Sequence, residues 1–121
     1  AVVSLCAYTL PVGWHVKELR YAFADGPLEP ETKSEIETVA DWAHAKWKAG
    51  KRVNIRCQAG LNRSGIVTAL TLMIDGMSAD KAIDTLRQKR STYALCNGEF
   101  EHWLLTEAAE VIGNHQNRKS A

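Results

Sequence analysis

Residues 64–75 carry Ile66, Val67, Ala69, Leu70, Leu72, Met73 and Ile74 with little polar interruption, and Gly76 follows as a stop. A helix that is apolar on most of its surface has to run through the interior, covered by other elements. Directly upstream, Val53 and Ile55 alternate with Asn54 and Arg56 and lead straight into Cys57, the period-2 pattern of a short strand. Strand, glycine-bearing connection and buried helix therefore follow one another, and the rest of the chain has to be arranged around them.

The remaining segments supply that cover. Val2, Val3, Ser4, Leu5 and Cys6 form a short β-branched apolar run that suits a buried strand, and a second strand is predicted over 19–24. Asp25, Gly26, Pro27, Leu28, Glu29 and Pro30 then forbid regular structure and mark a loop. Over 31–49, Ile36, Val39, Ala40, Ala43 and Trp47 recur at helical spacing, with acids in the first turns, lysines in the last, and Gly50 after them. Ser78 is the expected N-cap of a helix reaching about Arg90, with Ala82, Ile83 and Leu86 inward. A last helix over 99–112 places Phe100, Trp103, Leu104, Ala108 and Val111 on one face. Strands alternating with helices, then a run of helices, predict an α/β domain with a small sheet packed against helices.

At 121 residues the chain holds one core. Residues 1–113 are read as a single domain and 114–121 as a polar, flexible tail. With 45% hydrophobic and 24% charged residues it is globular in composition. No apolar run nears the roughly 18 residues of a membrane span, and no basic-then-apolar signal opens the chain. A soluble, cytoplasmic monomer is expected. The net charge of +1 argues against a general nucleic-acid binder, and the clusters Lys46, Lys48, Lys51, Arg52 and Lys81, Arg87, Lys89, Arg90 read as solvated helix ends, the second bordering an anion site at most. Cys6, Cys57 and Cys96 lack metal-knuckle spacing, and His15, His44, His102 and His115 share no ligand spacing, so neither metal nor cofactor is expected. Cys6 and Cys96 default to buried small apolar residues; a disulfide of either with Cys57 on oxidation is the alternative. Trp42 and Trp47 are read as core or half-buried packing.

The chemistry lies in Cys57, Gln58, Ala59, Gly60, Leu61, Asn62, Arg63, Ser64, Gly65. A strand-to-helix turn of this kind aims backbone N–H groups and the positive end of the helix dipole at one point, a concavity for a dianion. Five residues between Cys57 and Arg63 suffice to wrap one phosphoryl group, with the thiol beneath phosphorus and the guanidinium on two equatorial oxygens. The same helix end lowers a thiol pKa and so activates the nucleophile. Gly60 supplies an unusual dihedral, and Gly65 allows close packing where the helix begins. Ser64 is placed to donate to the Cys57 sulfur as it leaves. A leaving alkoxide or phenoxide needs a proton, and Asp25, 32 positions upstream on its Gly/Pro loop, is the candidate acid, with Glu29 in reserve.

The segment CQAGLNRSG resembles the signature loop of the protein tyrosine phosphatase superfamily. With the acid ahead of the loop, with "YAFADGPLEP", "SADKAIDTLRQKR" and "NGEFEHWL", the chain looks most like the compact dual-specificity branch, and the likeness spans nearly the whole sequence. That resemblance implies a central sheet of about four to five strands, mixed or largely parallel, flanked by helices. It implies Cys57 as nucleophile, Arg63 as phosphate clamp, Ser64 as leaving-group helper and Asp25 as general acid, with the amides of Gln58, Ala59, Gly60, Leu61, Asn62 and Arg63 as the phosphate cradle. Asn97 stands where related chains often carry an Asn that holds this loop; as an N-cap it would look the same. Two departures are evident: Arg56 replaces the His that usually precedes the nucleophile, and the strands that family members tend to carry before 2–6 are absent.

The implied substrates are phosphotyrosine and phosphoserine or phosphothreonine in proteins or peptides. Phosphoinositides rank lower, since no Lys lies between Cys57 and Arg63. The run GLNRSG is also similar to the loop of cysteine-dependent RNA 5′-triphosphatases, which makes an RNA triphosphate the one nucleic-acid substrate in view. A phosphate-binding module that does not turn over, with Arg56 in place of His, is the reading from another class.

Overall fold

The computed structural model describes residues 1–5, 18–21, 23, 28–56, 62–90, 94–95 and 97–112, with Arg20 and Arg56 described by backbone alone. Three strands are found among them: β1 (Val2–Ser4), β2 (Glu18–Arg20) and β3 (Asn54–Arg56). They form a parallel sheet in the order β2-β1-β3, with Val3 level with Leu19 on one side and Ile55 on the other. Val3 and Ser4 point to opposite faces yet are both fully buried, the mark of a central strand covered on both sides. The hydroxyl that this burial would strand is satisfied across the ladder, where Ser4 Oγ donates to Glu18 Oε2 at 2.5 Å.

The parallel connection from β2 to β3 is made by α1 (Pro30–Lys48). Pro30 opens it at a position where no N–H is needed, and Gly50, at φ +88°, ends it in the left-handed conformation. Its inward face is Ile36, Val39, Ala40 and Ala43. Trp47, expected inward, is 41% exposed. It lies in the last turn, where its ring meets the edge of His44 and the ammonium of Lys48 instead of the core.

Helix α2 (Arg63–Ile74) is the interior helix that the apolar run demands: Ser64, Gly65, Ile66, Val67, Ala69, Leu70, Thr71 and Met73 are all buried. It touches α1, β3, α3 and the C-terminal helix. Thr71 meets that interior by donating to the Val67 carbonyl at 2.7 Å. Gly76, at φ +110°, ends the helix as expected. In α3 (Ala79–Lys89), Ser78 Oγ accepts from the Lys81 amide, the cap read from sequence. No helix among the described residues is long and apolar enough to cross a membrane.

Helix α4 (Gly98–Trp103) begins one residue earlier than expected and runs into a π-helical stretch, Leu104–Ala108. Phe100, Trp103, Leu104 and Ala108 are buried, but Val111 is 48% exposed. A π turn holds more residues than an α turn and so shifts the register of everything after it. The next inward positions are accordingly Ala109 and Ile112, which pack on the core. The second strand is also shorter than 19–24, although the ladder continues one bond further as Tyr21 N–H donates to the Ser4 carbonyl at 2.8 Å.

The C-terminal ends of α1 and α2 are joined through Asp75, whose Oδ1 lies 3.0 Å from His44 Nε2 and 3.2 Å from Lys48 Nζ. The hydrogen bond with His44 first, then that with Lys48, hold the Asp75 carboxyl below its ordinary range. A carboxyl with a depressed folded-state pKa stabilises the fold above its unfolded pKa and loses that contribution as pH falls. Denaturant titrations of the parent and of Asp75→Asn are expected to differ at neutral pH, to begin to converge near about pH 4, where the unfolded carboxyl protonates, and to meet only at lower pH, where the folded carboxyl protonates as well. Parallel curves at all pH values would refute the link.

Candidate active site

The expected nucleophile Cys57, the cradle residues Gln58, Ala59, Gly60 and Leu61, and the acid Asp25 lie outside the described residues, as do Cys6 and Cys96. What frames them is described. β3 ends at Arg56, directly before Cys57, and α2 starts at Arg63. The signature segment thus joins the end of a sheet strand to the start of the most buried helix. The first intrahelical bond runs from the Ile66 amide to the Asn62 carbonyl at 2.9 Å, so the preceding first-turn amides have no intrahelical acceptor. No acidic side chain stands in that first turn, and the positive end of the dipole is not offset by a local carboxylate.

Arg63, the first residue of α2, is half-buried, and its guanidinium donates to the Phe23 carbonyl at 3.4 Å. That carbonyl lies two positions before Asp25. A guanidinium has five N–H donors in a fixed fork. One holds the backbone at Phe23, and a fork of this kind has further donors that can meet an anion. Ser64, beside it, is fully buried.

Behind this helix start sits a second layer. Gly65 faces Leu95 so closely that a Cβ at position 65 would lie 3.3 Å from Leu95 Cγ, which bears out the expected close packing. Leu95 is fully buried and takes φ +59°, rare for a branched aliphatic residue. The turn is held by Arg87, which donates to the Ala94 carbonyl at 3.1 Å and the Leu95 carbonyl at 3.4 Å, and pairs with both carboxylate oxygens of Glu101 at 3.3 and 2.9 Å. Arg87 was expected among solvated helix-end cations; it is instead a half-buried brace. Its partners are 7 to 14 positions away, beyond the reach of helical periodicity, and the one available signal was an Arg beside the apolar stripe at Leu86.

Of the two roles considered for Asn97, the described residues show the N-cap. Its Oδ1 caps α4 by accepting from the Glu99 amide at 3.1 Å and the Phe100 amide at 3.4 Å. Its own backbone amide donates to Asn62 Oδ1 at 3.0 Å, fastening the last residue of the signature segment before the helix. Two further contacts from α4 reach the flanks of the acid segment. The Phe100 ring lies 6.2 Å from that of Phe23, and Glu99 Oε2 accepts from the Leu28 amide at 3.0 Å.

Among the described residues no group of His, Cys, Asp and Glu could hold a metal. A cavity of about 640 Å³ among the described residues is lined by Trp47, Lys51, Arg52, Val53, Thr68 and Leu72. It lies toward the start of β3 and the later turns of α2, away from Arg63, and has no part in the arrangement above.

The model for the dual specificity phosphatase catalytic domain matches residues 9–109. Human dual specificity protein phosphatase 1 is 29% identical over 103 residues, covering 81% of this chain and 28% of that protein's length. The chain therefore spans little more than a quarter of the curated relatives it matches. Among solved structures, that of human DUSP28 superposes with a TM-score of 0.81 at 25% identity, covering 94% of this chain and 79% of the other. The crystal structure of Tk-PTP in the active form gives 0.72 at 29% identity, covering 90% and 77%. With that architecture and a family match over most of its length, the chain belongs to the dual specificity phosphatase catalytic-domain family.

Proposed function

We propose that the chain hydrolyses phosphate monoesters, phosphotyrosine and phosphoserine or phosphothreonine in proteins, through a cysteinyl-phosphate at Cys57. The observation that carries this reading is the contact of Arg63 with the Phe23 carbonyl, which brings the expected phosphate clamp, at the mouth of α2, against the root of the segment bearing Asp25. In the first step the Cys57 thiolate attacks phosphorus, the P–O ester bond breaks, and Asp25 gives its proton to the departing oxygen. In the second, water attacks phosphorus, the Asp25 carboxylate takes its proton, and the S–P bond breaks to release inorganic phosphate, with the Ser64 hydroxyl stabilising the departing thiolate. Arg63 and the amides of 58–63 hold the three equatorial oxygens in the trigonal arrangement through which the phosphoryl group passes in each step.

Asp25→Asn tests both the acid and the substrate class. Turnover of a phosphotyrosine peptide is expected to fall by about 10²–10⁴, the usual contribution of a general acid. The kcat/KM for an RNA 5′-triphosphate, which reports the first step and a leaving group that needs no proton, would hardly change. Substantial triphosphatase activity that is indifferent to Asp25→Asn, with little on phosphopeptide, would favour the RNA reading. Phosphopeptide turnover that survives Asp25→Asn would remove Asp25 from the mechanism.

A further inference from the structure

The segment that carries Asp25 is held at both of its roots by residues of the site's own framework. On the N-terminal side, the Phe23 carbonyl accepts from Arg63 and the Phe23 ring packs against Phe100. On the C-terminal side, the Leu28 amide donates to Glu99 Oε2 at 3.0 Å, across 71 positions of sequence. Glu99 and Phe100 are neighbours in the first turn of α4, whose cap, Asn97, is bonded to Asn62 of the signature segment. One helix start thus touches the phosphate-binding segment and both ends of the acid segment. Leu28 lies only three positions beyond Asp25, so the reach of the carboxyl depends on where that amide is fixed.

We propose that Glu99 is a positioning residue for the general acid: its carboxylate, by accepting the Leu28 amide, fixes the C-terminal root from which Asp25 reaches the leaving oxygen. This rests on the assignment of Asp25 above. A charged acceptor makes a stronger bond to a backbone amide than a neutral one, and a shift of about 1 Å in a catalytic group is enough to slow proton transfer severely. Glu99 is exposed, so its replacement removes the tether without opening the core.

The test compares phenyl phosphate, whose phenolate leaves poorly without a proton, with 2,4-dinitrophenyl phosphate, whose leaving group needs none, in the whole chain. Glu99→Ala is expected to lower kcat/KM, which reports the first chemical step and not the shared hydrolysis of the phosphocysteine, about tenfold on phenyl phosphate, a fraction of a full general-acid contribution, and to leave kcat/KM on the dinitrophenyl ester and the melting temperature nearly unchanged. Glu99→Gln, which keeps an oxygen acceptor, is expected to restore most of the loss. In an Asp25→Asn background Glu99→Ala should add nothing, because the acid it positions is gone. Equal slowing of both esters, no slowing of either, or an undiminished effect in the Asp25→Asn background would overturn the role of Glu99, provided that Asp25→Asn alone distinguishes the two esters. If Asp25→Asn slows both alike, the assignment of the acid fails first, and the role of Glu99 with it.

Discussion

Cys57→Ser is expected to abolish turnover of every phosphate monoester while leaving phosphopeptide affinity intact. The substitution changes one atom, sulfur to oxygen. A thiol at the mouth of a helix, close to a guanidinium, is brought to its anion near neutral pH, whereas a serine hydroxyl starts several pKa units higher and the same field cannot ionise it. Removing the nucleophile from a covalent mechanism should lower kcat by at least about 10³. On the proposed reading binding follows other groups, the amides of 58–63, the start of α2 and Arg63, and these are untouched. Loss of the thiolate also removes a like charge from beneath the bound dianion, so affinity should hold or rise. Steady-state assays with a phosphotyrosine peptide, beside calorimetric binding of the same peptide, separate the two effects. Retained turnover would place the nucleophile elsewhere; lost binding would mean that Cys57 builds the cradle and not the bond.

The parts of the fold that were legible in the sequence are those whose causes are local. The helix expected over 31–49 is found as Pro30–Lys48, because its apolar spacing, opening proline and closing Gly50 all lie within it. The interior helix was readable because seven apolar residues in one stretch permit no exposed face. Ser78 and Gly76 act as read for the same reason. The failures have distant causes. Val111 turned outward through a π-helical stretch that no periodicity announces. Trp47 fits the stripe by spacing but stands where the helix passes beyond its cover. Leu95 at φ +59°, Arg87 on two carbonyls and Glu99 on Leu28 depend on segments brought together by the tertiary fold. At the site, residue types and spacing pointed to Cys57, Arg63, Ser64 and Asp25; Arg63 and Ser64 are found at the start of α2, and Cys57 and Asp25 lie outside the described residues. The supports behind them, Arg87, Glu99 and Leu95, were invisible because each is defined by a partner and not by its own chemistry.

Arg63→Lys keeps the charge at the start of α2 and removes the fork, which makes it the sharper probe of geometry. Lys and Arg have similar helix propensities, and position 63 is only half-buried, so the fold and its melting temperature should be retained. An ammonium is a single point of charge on a flexible stem. It cannot hold the Phe23 carbonyl and two phosphoryl oxygens at once in one plane, as the guanidinium can. The loss should be larger in the transition state than in the ground state, since the planar fork matches the flattened, trigonal arrangement that the equatorial oxygens take as the phosphoryl group transfers. A fall in kcat/KM of about 10²–10³ is expected, the effect of losing one preorganised donor, with a smaller weakening of phosphate inhibition. If the fork also holds the Phe23 root in place, Arg63→Lys will lose more on phenyl phosphate than on 2,4-dinitrophenyl phosphate. Activity equal to the parent on both esters would show that a positive charge alone suffices at this position, and that the planar contact around which the site has been assembled plays no part in the reaction.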